Sequence, residues 1–180
     1  MTDNKHEALT KPFIAVIRGI CSHKNDGELV FRVSTTEEAV ELTVVPHTAD
    51  FPKINGKGGR QIKALKFLFE RAGGNLGLDA ALKLEESFVG NREESSFTEN
   101  PKFNVSEMRS LIVTFAKTVM GCPVDAEINQ DGNGRTTFTL KPSVEIRDAM
   151  TITAAMDEVF YPYAMAHGRR GVEVCLEKGS

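Results

Sequence analysis

One hundred and eighty residues, 41% of them hydrophobic, make one ordinary domain or two small ones and exclude a disordered or low-complexity chain. The formal net charge of −3 is not the basic balance usual among nucleic-acid-binding domains, but the charge is unevenly spread. Met1–Leu84 holds 12 Lys/Arg against 10 Asp/Glu, 85–100 holds one arginine against five glutamates, and Asp50–Arg71 alone carries six basic and two acidic residues.

In chain order, the first ten residues are polar and offer no apolar segment of a signal peptide. Ala8–Cys21 carries Phe13, Ile14, Ile17 and Ile20 at helical spacing, with Pro12 suited to a first turn. Glu28–Val33 and Ala39–Val45 read as strands, the second alternating Val40, Leu42 and Val44 against Glu41 and Thr43. Thr48–Ile54 reads as a short helix capped by Thr48 or Asp50, with Pro52 in its first turn. A helix follows over Arg60–Ala72 and is expected to stop at Gly73-Gly74, and Asp79–Glu85 closes as a strand. On the Arg60–Ala72 helix, Ile62, Leu65, Leu68, Phe69 and Ala72 gather on one side, with Arg60, Lys63, Lys66 and Arg71 opposite. Phe67 falls among the basic residues and is expected to touch the second half or another subunit.

Residues 90–103 are polar, acidic and aperiodic, and read as a linker between a unit at 1–89 and a unit at 104–180. Beyond it, Val105–Val119 is an amphipathic helix opened by Asn104 and Glu107 in a capping-box arrangement. Its apolar run, Met108–Met120, contains Arg109 and Lys117 and falls short of the ~20 residues of a membrane span. Pro123–Asn129 and Arg135–Leu140 form a hairpin around Asp131-Gly132-Asn133-Gly134. Ser143–Phe160 reads as helical, Tyr161-Pro162-Tyr163 as a helix end, Gly168-Arg-Arg-Gly171 as a turn, and Val172–Glu177 as a last strand. The expected fold class is α+β, with helices on one face of each of two three-stranded sheets. The order α-β-β-α-α-β of the first half returns in the second as α-β-β-α-β, a candidate internal repeat. Setting Pro46 against Pro142 puts Gly56–Gly59 against Ile152–Ala155, a stretch without glycine that should be continuous helix.

The chemistry-bearing stretch is Ile54-Asn-Gly56-Lys57-Gly58-Gly59-Arg60-Gln-Ile62. A short glycine loop between helices lets a phosphate backbone approach the main chain closely. The amides opening the next helix, with Lys57 and Arg60, supply donors and positive charge. A Walker A loop is excluded because Lys57 is followed by Gly58 and not by Ser or Thr, and Gly73–Gly77 ends a helix where a dinucleotide loop opens one. His6, His23, His47 and His167 have no catalytic partner at a recognisable spacing. Cys21, Cys122 and Cys175 form no CxxC pair and suit reduced thiols in the cytoplasm. No enzyme motif, cofactor site or metal site is expected.

The core Asp50-Phe-Pro-Lys53-Ile54-Asn-Gly56-Lys57-Gly58-Gly59-Arg60-Gln-Ile62-Lys63-Ala-Leu65 resembles that of a KH domain of the type II arrangement, as found in small bacterial RNA-binding proteins. Asn55 stands where that family usually has isoleucine or valine. The resemblance implies that Gly56, Lys57, Gly58 and Gly59 clamp phosphates of a single-stranded ribosomal or messenger RNA. It also implies that Lys53, Arg60 and Lys63 supply a basic edge and that Val44 lines the groove for the bases. The second half is similar to a degenerate, loopless copy and is expected to contact the first half, a protein partner or a second copy. The alternative expectation is a scaffolding or protein-interaction module on the same fold, favoured by the acidic balance, Asn55 and the loopless second half.

Overall fold

A computed structural model describes residues 3–24, 27–86 and 100–177. Most of the acidic segment expected as a linker lies outside the described residues. Helix α1 (Asp3–Ile20) is followed by strands β1 (Val30–Thr35) and β2 (Ala39–Val45), the short helix α2 (Phe51–Asn55), a single turn at Lys57–Gly59, helix α3 (Arg60–Leu76) and strand β3 (Asp79–Leu84). Helix α4 (Val105–Met120), strands β4 (Val124–Gln130) and β5 (Thr136–Pro142), helix α5 (Ala149–Ala166) and strand β6 (Val172–Leu176) complete the chain. The class is α+β, as expected.

The second sheet repeats the first. In each, the first two strands pair antiparallel, Val30 with Val45 and Val124 with Pro142 at one end of the two ladders. The third strand then lies parallel to the second, Ala39 with Asp79 and Thr136 with Val172. A parallel neighbour needs a crossover, and α3 and α5 supply it. Each sheet buries one face: Val40, Leu42 and Val44 in β2, and Phe138 and Leu140 in β5, are 2% exposed or less. The opposite faces carry ion pairs, Glu41–Lys83 (2.6 Å), Arg32–Glu85 (3.1 Å) and Arg135–Glu173 (2.6 Å), with Lys141 between Glu127 and Glu177.

Among the element limits that differ from the sequence reading, four on α1, α3 and α5 have a physical cause in the structure. Helix α1 begins at Asp3 and carries Pro12 in its interior, where a missing N–H normally costs ~3 kcal/mol. Pro12 is buried among the core residues of α1, and that burial offsets the lost bond. Helix α3 runs through Gly73-Gly74 and ends at Gly77, whose φ of 70° is left-handed. Gly73 marks a close approach, because a β-carbon there would lie 2.2 Å from Ala80 Cβ on β3. Helix α5 begins at Ala149, not Ser143, after Asp148 adopts φ 61°. It also passes through Tyr161-Pro162-Tyr163 without ending, its inner side fixed by buried Ile152, Met156, Val159, Phe160 and Ala164.

The two halves share one core. The Phe13 ring of α1 meets Phe69 of α3 edge-on at 4.9 Å and Phe115 of α4 at 4.5 Å, and Phe115 meets Phe160 of α5 at 5.3 Å. Asn75 Nδ2 donates to the carbonyl of Val119 at 2.7 Å, joining the ends of α3 and α4. Gly19 lets α1 approach α5: a β-carbon there would sit 2.0 Å from Cε2 of Tyr163. That ring is itself held by stacking on His167 at 4.3 Å.

In an uncrowded helix interior, Gly19→Ala would stabilise by up to about 1 kcal/mol. Here overpacking wins, and the variant is expected to lose roughly 1–3 kcal/mol. Chemical denaturation that finds Gly19→Ala as stable as wild type would contradict this packing of α1 on α5.

Candidate nucleic-acid interface

The loop between α2 and α3 is built by three glycines with positive φ. Gly56, Gly58 and Gly59 have φ of 72°, 64° and 72°, a region that costs other residues about 1–2 kcal/mol. Gly56 is required twice over, since a β-carbon would also come within 2.7 Å of Gln61 Cβ. At Gly58 a β-carbon meets nothing within 4 Å, so the backbone there faces open space. The amides of Gly56 and Gly59 are spent on Pro52 O (2.9 Å) and Gly56 O (3.1 Å). Those of Lys57 and Gly58 have no partner among the described residues, and both residues are exposed. Gln61, 4% exposed directly behind the loop, has a side-chain Nε2 without a partner among the described residues.

The loop is anchored from behind by Asp50, whose carboxylate is fully buried. Its Oδ2 accepts the backbone N–H groups of Ser22 (2.9 Å) and His23 (2.7 Å) and lies 3.1 Å from His23 Nδ1. Its Oδ1 accepts Lys53 Nζ at 2.6 Å, and Lys53 also donates to Ser22 Oγ at 2.7 Å. Asp50 therefore does not cap α2 with its side chain but ties α2 to the end of α1. Burial by itself pushes the carboxyl upward, but the bonds from Lys53 and His23 outweigh it and hold Asp50 below the ordinary carboxylate range. His47 stacks on His23 at 4.2 Å and takes the Ala49 amide on Nδ1, which places it in this anchor.

Six of the eight residues expected at the site come together at the surface. Gly56, Lys57, Gly58 and Gly59 form the loop, while Arg60 and Lys63 are exposed on the first turn of α3. Arg60 lies 3.6 Å from Glu158 of α5, and both side chains are solvent-exposed. The other two residues are corrected. Val44 is 0% exposed, because the alternation of β2 turns it into the core, so it lines no open groove. The ammonium of Lys53 is committed to Asp50 and Ser22, which makes it a brace of the loop and not a free phosphate ligand.

The second half has no such loop, but the structural match shifts. Aligning the starts of α3 and α5 sets Gly56–Gly59 against 145–148, where the earlier proline alignment gave 152–155. Asp148 holds the left-handed conformation at the position of Gly59. Ile152–Ala155 are continuous helix, as expected. Phe67, expected to touch the second half or another subunit, is 36% exposed on the stripe of α3 whose Arg60 and Arg71 reach Glu158 and the Arg147 carbonyl. Asp50 as an anchor, Glu158 as the partner of Arg60 and the exposure of Tyr161 went unread in the sequence. An aspartate ahead of a Pro-initiated helix looks like a cap, and α5 is apolar all round, which hides its open side.

No family model matches the chain, and a search of curated proteins finds no match.

Asp50→Asn is expected to lower stability by roughly 2 kcal/mol at pH 7, since charge-assisted hydrogen bonds are lost. The folded pKa lies below the unfolded value of about 3.9, so Asp50 contributes fully above that pH and loses its contribution as pH falls through the lower folded value. Denaturation curves should therefore show the gap between wild type and Asp50→Asn closing below about pH 4. Burial, with the Asp50 charge adding to it, pushes the Cys21 thiol up to about 12. Iodoacetamide at pH 8 should leave Cys21 unmodified in the native protein, and mass spectrometry of the digest reads this directly.

Proposed function

We propose that the protein binds single-stranded RNA without catalysis, as a KH-like module of the type II arrangement, through the loop Gly56–Gly59 and the first turn of α3. The observation that carries this reading is the pair of amides at Lys57 and Gly58, unpartnered among the described residues, on an exposed backbone with open space beside Gly58. Backbone donors of this kind, with Lys57, Arg60 and Lys63 around them, suit phosphate oxygens. The order α-β-β-α-α-β, with one antiparallel and one parallel strand pair, supports the family resemblance. The free thiols of Cys21, Cys122 and Cys175 suit a cytoplasmic location.

A scaffolding role is the second reading, favoured by exposed apolar side chains at Met150 (82%) and Val144 (56%), remote from the loop on the chain. Salt decides between the two. Phosphate binding releases counterions and weakens as ionic strength rises, whereas an apolar protein contact does not.

Replacing Lys57 and Gly58 together by aspartate puts two negative charges where a phosphate would sit. Aspartate tolerates the left-handed conformation of position 58 better than most residues, so the thermal midpoint should move by only a few degrees. Affinity for a single-stranded RNA, read by fluorescence anisotropy at low ionic strength, should fall at least tenfold. A wild-type protein that shows no salt-sensitive RNA binding would leave the scaffolding reading in possession. Glu158→Gln removes the carboxylate that competes for Arg60 and should raise affinity about two- to fivefold, the range of an exposed ion pair.

A further inference from the structure

Two surface depressions meet at one side chain. The first, about 320 Å³, has Ser22 and Lys53 on one wall and Tyr161, Pro162 and Met165 of α5 on the other. The second, about 460 Å³, is lined by Tyr161 with Asn133, Arg135 and Arg170. Tyr161 stands between them, 48% exposed on a rigid helix whose opposite side is core. A chain of contacts links it to the loop. Arg60, at the start of α3, reaches Glu158, and Glu158 lies one turn before Tyr161 on α5, a spacing of about 5–6 Å between β-carbons. Lys53 closes the near wall from α2, two residues before that helix ends.

The charges around the ring are accounted for. Glu158 faces Arg60, Glu173 holds Arg135 at 2.6 Å, and Asp157 Oδ1 accepts the Val174 amide at 2.8 Å. Arg170 is exposed and has no ion pair among the described residues. The exposed Tyr161 ring therefore has Arg60, held only by a solvent-exposed ion pair, on the loop side and the unpaired Arg170 on the other. This alternation matches a chain in which planar bases alternate with phosphates, and it does not match a compact ligand that a single enclosed pocket would take.

We propose that Tyr161 is a stacking platform for a base of the single-stranded RNA whose phosphates lie on the glycine loop, with Arg170 meeting a phosphate beyond it. The inference rests on the RNA-binding reading above and adds the second half of the chain to the interface. Stacking tolerates every base, so the platform lengthens the site without fixing a sequence.

The test uses the full chain with fluorescein-labelled oligouridines of about four and ten nucleotides, the shorter being the span of a glycine-loop clamp. Tyr161→Ala should weaken the longer oligonucleotide about tenfold and the shorter less than twofold, while Tyr161→Phe, which keeps the ring, should match wild type on both. The chain has two tyrosines and no tryptophan, so in a Tyr163→Phe background the emission of Tyr161 reports on its own ring. That emission should be quenched by the longer oligonucleotide. If the Lys57→Asp/Gly58→Asp variant loses binding while Tyr161→Ala stays within twofold of wild type, the platform is overturned and the loop reading stands. Absence of quenching, or a Tyr161→Phe loss equal to that of Tyr161→Ala, also overturns the platform. If wild type binds neither oligonucleotide, both readings fall together.

Discussion

The contact chain Phe13–Phe115–Phe160 is the constraint on which the arrangement of this protein depends. Each three-stranded sheet is small and open, and its one apolar face needs a cover. The covering helices also have second sides to bury, and the aromatic contacts seal α1 and α3 against α4 and α5. The buried residues of both repeats thereby form one continuous core. The same packing brings α5 beside the glycine loop, so the flank of the loop is built by the other half of the chain. Gly19, lying under Tyr163, sets how near α1 can come to α5.

Within that frame, the loop owes its placement to a buried charge. A carboxylate in a protein interior is tolerated only when its oxygens are saturated with donors, and Asp50 has the Ser22 and His23 amides and Lys53. Two of those donors lie just past the end of α1, so α2 is held to a helix that is itself locked into the core. The loop can present unspent amides to solvent because the segment preceding it is fixed. The division of labour between Lys53 and Lys57 follows: the ammonium of the first is held as a counterion to Asp50, and that of the second has no such partner among the described residues.

Much of this was legible in the sequence. Alternation in β2, the aspartate–glycine turn between β4 and β5, and the cap at Asn104, whose Oδ1 accepts the amides of Ser106 and Glu107, are local signals that local physics honours. The glycine loop was legible too, because left-handed backbone leaves few residue choices. What misled were residues whose meaning is set at a distance. Gly73 reads as a helix stop and is a contact with β3, while Pro12 and Pro162 read as boundaries and lie inside helices kept whole by burial. Val44 and Lys53 have the right residue types for a binding site, but burial and a charge partner that no periodicity reveals remove both from it.

The paired charges on the outer sheet faces bear on how the molecule behaves among copies of itself. Among the described residues, the two open sheets leave four edge strands, β1, β3, β4 and β6, each able to template pairing with another chain. Every one of them carries a charged side chain engaged with its own sheet: Arg32, Lys83, Glu127 and Glu173. Edge-to-edge docking of a second molecule would crowd or desolvate these charges without offering them better partners. The acidic residues that set the net charge of −3 thus include a guard against fibrous self-assembly, stationed on the sheets and away from the glycine loop.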